Sequence, residues 1–242
     1  MGLWANTTYV QHGSVQDVTR ALTALCVAEG MEHIVEPPAR ERLLVEPMQY
    51  DVALHNDLWG FAIFPGAAGW TVIQTAPLEL LAERAAGAAR MRLAELCASL
   101  SADAFQLNVY DSTETVLVEV SATGDVLTSG FTMQGGSSDP FVWHGERLSE
   151  ETFEARFRLH PFQDVIASAV LGEEMAERIA RQFGGANAAF CDNVVSVDTL
   201  ITHVPFTAAG GETLYMRWSG ESRQHYPASA TWDEHRARQQ SG

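Results

Sequence analysis

The chain predicts an α+β protein: a mixed, mainly antiparallel sheet covered by two to four helices as a two-layer sandwich. Three observations predict it. Short runs of alternating apolar residues recur between Gly- and Pro-containing turns, which is strand patterning. Two or more longer stretches keep apolar residues at helical spacing behind a capping residue. And 242 residues suffice for one sizeable core without disulfide or metal staples.

Leu3–Gln11 reads as the first strand. Ser14 then caps a helix, with Asp17 completing an S-x-x-D box. Val15, Val18, Leu22, Leu25 and Cys26 line its apolar face, and Gly30 ends it. The stretch 31–47, with three prolines, reads as an irregular connection with at most a short strand around Leu43–Val45. Tyr50, Val52 and Leu54 alternate on a half-buried strand. His55-Asn56-Asp57 follows as turn chemistry, because Asn and Asp tolerate left-handed backbone angles.

Leu58–Leu78 carries no charge and is long enough to span a bilayer. Gly60, Pro65, Gly66, Gly69 and Pro77 interrupt it, so it reads as paired strands, Leu58–Phe64 and Trp70–Thr75, around a P-G-A-A-G reversal. Pro77 is expected to open a long helix with Leu81, Ala85, Ala89, Leu93, Leu96 and Leu100 on one face. Phe105–Val109, Val116–Val120 and Val126–Met133 read as a meander, and 134–140 as a long loop or internal boundary.

Beyond it, Ser149 caps a short helix carrying Phe153 and Phe157. His160-Pro161 starts another helix, lined by Val165, Ala169, Ala176, Ile179 and Phe183 and stopped by Gly184-Gly185. Two closing strands follow, within 193–206 and at Glu212–Trp218. Residues 1–218 thus form one expected domain, and 219–242 a polar C-terminal tail. No exact repeat exists, but the order strand, helix, meander occurs around 3–64 and again around 70–133. It suggests two related α/β half-units sharing one sheet.

The charge restricts partners. The net charge is −16, and all 15 basic residues are arginine. A lysine-free, Ala-, Arg- and Gly-rich chain has the coding bias of a GC-rich bacterium. Nucleic acid and anionic membrane surfaces are disfavoured, and a basic protein partner would be steered in. Without lysine, a Walker lysine and Schiff-base chemistry are excluded. No dinucleotide or phosphate-loop motif and no nucleophile elbow is present, so no cofactor is expected. Three cysteines without short spacing, Cys26, Cys97 and Cys191, and no visible signal peptide point to the cytoplasm.

No histidine pair has metal-ligand spacing, so no metal is expected. Cys26 and Cys97 read as core residues of their helices. The catalytic candidates are Cys191 or Asp111 with a histidine, His55 or His203, in a hydrolase or transferase. The binding candidates are Trp143, His144, Arg147 and Trp218, since Trp and Arg are the usual anchors of protein interfaces. The absence of catalytic signatures and the acidity favour a non-catalytic binding protein of inhibitor or immunity type. A small-ligand sensor with a pocket lined by Trp59 and Trp70 is the third reading.

Overall fold

A computed structural model describes residues 5–35, 58–76, 80–82, 84–85, 87–110, 114–131, 141–157, 183 and 210–218. In chain order its elements are β1 (Ala5–Val10), α1 (Val15–Ala28), β2 (Met31–His33), β3 (Leu58–Pro65) and β4 (Thr71–Ala76), then α2 (Arg92–Leu100). They continue with β5 (Ala104–Tyr110), β6 (Glu114–Val120), β7 (Val126–Phe131), β8 (Phe141–Trp143), β9 (Glu146–Leu148), α3 (Glu150–Phe157) and β10 (Glu212–Trp218).

The ten strands of the described residues form one sheet in the order β2-β10-β3-β4-β1-β5-β6-β7-β8-β9. Every neighbouring pair is antiparallel. The molecule is therefore mixed α/β but strongly dominated by its sheet. β10 comes last in the chain yet inserts between β2 and β3.

Local chemistry places the elements. Ser14 caps α1 by accepting from the Asp17 backbone N–H at 3.2 Å. Val15, Val18, Leu22 and Cys26 are the buried residues of α1, at the three- and four-residue spacing of one helix face. The β3–β4 reversal turns through Ala68 and Gly69, both at positive φ, and Gly66 N–H donates to Trp70 O at 2.8 Å. Leu58–Leu78 is thus largely two paired strands. No helix of the described residues is long and apolar enough to cross a membrane.

The two faces of the sheet differ. α1 packs over β2, β10 and β3, and also against α2, which reaches β6. This side buries Trp59, Phe61, Ile63, Ile73, Val118, Leu214 and Met216 with the inner faces of both helices. The opposite face holds Tyr9 stacked on Phe105, with Trp70 and Phe183 edge-on to the latter. α3 also lies on that opposite face, where its Phe153 covers Gly130 and meets Phe141 and Trp143. Between their ends, β3, β4, β1 and β5 are buried on both faces where burial is described, and polar Thr7, Thr8, Gln74 and Gln106 are buried there among the apolar side chains.

Three expectations are corrected. The helix expected from Pro77 begins only at Arg92. Gly87 adopts φ of +78°, and an Arg84–Met91 bridge folds the segment back on itself, yet Leu80 and Leu81 still reach the core. The connection after Gly30 contains β2, which pairs with β10, a partner about 180 residues away in the chain and invisible to local patterning. Finally, β8 and β9 form a hairpin where no strand was expected. The expected strands at 43–45, 50–54 and within 193–206, the His55-Asn56-Asp57 turn, the 134–140 boundary, nearly all of the helix after Pro161 and the 219–242 tail lie outside the described residues.

Candidate functional site

Nucleophiles come first. Cys26 and Cys97 are free thiols, both buried in the core beneath α1 and α2. Burial pushes each thiol up to about 12, with Glu29 adding to the effect at Cys26 and Asp103 at Cys97. Such thiols stay protonated near neutrality and are poor nucleophiles. They are core residues, as expected. His55, Asp111, Cys191 and His203 all lie outside the described residues. Among the described residues, no group of three His, Cys, Asp or Glu side chains could hold a metal ion.

Among the described residues, Arg92 is a strongly paired buried polar group. It is 2% exposed. Its Nε and Nη2 donate to the two Glu29 carboxylate oxygens at 2.7 and 2.9 Å, and Nη1 donates to Leu80 O at 3.1 Å. Its guanidinium lies 4.9 Å from the centre of the Trp59 ring, which in turn meets Trp218 edge-on at 5.3 Å. A bidentate arginine against Trp59, itself packed on Trp218, ties the end of α1 to the start of α2 and to β3 and β10. This clasp is enclosed, so it offers no substrate a surface. Its signal in the sequence is an arginine at a core position of an apolar helical stretch, next to Leu93.

The four binding candidates separate. Trp218 on β10 is part of the clasp, second in the strand order. Trp143, His144 and Arg147 sit on the β8–β9 hairpin at the far end. Seven strand spacings part them, on the order of 30 Å. Trp218 therefore cannot share a surface with the other three. Trp59 and Trp70 likewise lie on opposite faces of the sheet, so they cannot line one pocket.

The hairpin itself is well defined. His144 and Gly145 adopt φ of +47° and +82°, the two left-handed residues of a type I′ turn. Gly145 N–H donates to Leu127 O at 3.0 Å, which fastens the tip to β7. Trp143 is half-buried, edge-on to Phe153 at 5.7 Å and to His144 at 5.6 Å. His144, Glu146 and Arg147 are exposed. The outer side of β9 has no strand beyond it among the described residues. No family model, no curated protein and no solved structure matches the chain.

Proposed function

We propose that the protein is a non-catalytic, cytoplasmic binding protein of inhibitor or immunity type that recognises a basic protein partner through the β8–β9 end of its sheet. One observation carries this reading: an I′ hairpin places a half-buried tryptophan beside an exposed histidine and arginine, on the strand that ends the sheet among the described residues. Aromatic and arginine anchors held on a fixed backbone, with an adjacent edge able to add a strand, are features of protein-recognition surfaces. The charge of −16 supports the sign of the partner and disfavours nucleic acid. Among the described residues, the order β1-α1-β2-β3 around 3–64 followed by β4-α2-β5-β6-β7 around 70–133 supports reading the domain as two related half-units.

The test is capture from the native host with the wild-type chain and with Trp143→Ala and Arg147→Glu. A basic protein should be retained at low ionic strength and released as salt rises. Trp143→Ala should weaken its affinity about tenfold or more. A partner held equally by both variants, or no basic partner at all, defeats the reading.

A further inference from the structure

At the centre of the sheet, Thr8 on β1 stands directly opposite Gln106 on β5. Both are fully buried. Among the described residues, Thr8 Oγ1, Gln106 Oε1 and Gln106 Nε2 make no hydrogen bond. The pair lies on the face covered by α1 and α2. It interrupts a row in which Ile63, Ile73 and Val118 are its apolar neighbours on β3, β4 and β6. One repeat further along the strands, the register sets Asn6 opposite Asn108.

Burying a hydroxyl and a carboxamide with none of their hydrogen bonds made is strongly unfavourable, and native proteins rarely do it. A direct Thr8–Gln106 hydrogen bond would satisfy only one of the two amide atoms, because one hydroxyl cannot serve both ends of the amide. Among the described residues, Gln74 and Thr128 also carry buried atoms without a hydrogen bond. They stand on the other face, on β4 and β7, four strand spacings apart, and do not face each other.

We propose that the Thr8–Gln106 pair is an enclosed binding site for a small neutral molecule that both donates and accepts hydrogen bonds. Neither residue carries a charge, so an ion would find no counter-charge in the pair. The carboxamide presents a donor and an acceptor side by side, and the hydroxyl offers one of each. A guest bridging the two must answer with both. Water has this chemistry, as do a small alcohol and a small amide; buried waters of this kind usually make about three hydrogen bonds. The site is separate from the β8–β9 surface and stands or falls without it.

The experiment is proton NMR on the intact, glutamine-15N-labelled chain, with the Gln106 side-chain amide assigned through the backbone so that no variant is required. Expected is a cross-peak from that amide either to water, with the sign of a long-lived bound molecule, or to a resonance that belongs to no residue. In the second case, denaturation should release an organic compound detectable by mass spectrometry, which separates the two sources. The cross-peak should vanish in Thr8→Val/Gln106→Leu. If the Gln106 amide contacts only protein protons in the wild-type chain, the proposal is wrong.

Discussion

The two ends of the ten-stranded sheet are held by different means. At the β2–β10–β3 end, two side chains 63 residues apart form a buried bidentate ion pair, Arg92 with Glu29, with Trp59 against the guanidinium and Trp218 edge-on to Trp59. At the β7–β8–β9 end, one short helix contributes the fully buried ring of Phe153, and an ion pair joins the exposed side chains of Arg156 and Glu146 at 3.0 Å. The first end is part of the main core. The second is an appendage to it, and that is where the candidate surface lies. A recognition hairpin gains from such placement: its residues can vary without disturbing the core, while the I′ turn keeps its tip rigid.

The largest effect should come from breaking the clasp on one side only. Arg92→Met leaves the Glu29 carboxylate buried without its partner, and should cost about 3–5 kcal/mol. Removing both charges together, in Glu29→Leu/Arg92→Met, should recover most of that loss, because well-packed apolar replacements often match a buried pair. Urea unfolding measures both; equal losses in the single and double variants would show that packing, not charge, holds this end. Phe153→Ala should come next, at about 3 kcal/mol for an emptied aromatic site. Its effect should be local. Amide exchange should rise first in α3, β8 and β9, while β1, β4 and β5 keep their protection. Uniform loss across the sheet would remove the distinction between core and appendage.

Much of the core end was legible in the sequence, because its signals are local. Ser14 with Asp17 announced α1, and the spacing of Val15, Val18, Leu22 and Cys26 named its buried face. The β3–β4 hairpin and the β5–β6–β7 meander followed from apolar runs and their turns. What escaped depends on partners far away in the chain. β2 is a strand because β10 arrives beside it. Gly130 must be glycine because a Cβ there would lie 2.5 Å from the Phe153 ring, a contact no pattern records. Residues 77–91 misled through their Ala and Leu content, which favours helix when Gly87 and the Arg84–Met91 bridge are left out. The candidate surface was half legible. Residue type picked out Trp143, His144 and Arg147 together with Trp218, but only the strand order could show that Trp218 belongs to the opposite end.

Alkaline titration probes the core end without substitution. The thiols of Cys26 and Cys97 are held up to about 12 in the folded chain, against an ordinary value of 9.0. Below pH 9 both states keep the proton and the thiols contribute nothing that changes with pH. Between about 9 and 12 the unfolded chain releases protons that the folded chain retains, so stability falls as pH rises. The slope should reach about 1.4 kcal/mol per pH unit for each thiol at most. Cys26→Ala/Cys97→Ala should flatten that part of the stability curve, measured by urea unfolding between pH 8.5 and 11. An unchanged slope would mean that other groups govern the alkaline limb.

The smallest effect should be found at the appendage. Arg156 and Glu146 join α3 to β9, but their side chains are 41% and 62% exposed. Water screens such a pair, and ordering two long side chains offsets part of the attraction. Arg156→Ala and Glu146→Ala should each change stability by less than about 1 kcal/mol, with a coupling of similar or smaller size in the double-mutant cycle. Salt should reduce that coupling further. A coupling well above 1 kcal/mol that persists at high salt would mean that the hairpin is fastened by charge as well as by Phe153. The two ends of the sheet would then differ in exposure but not in kind.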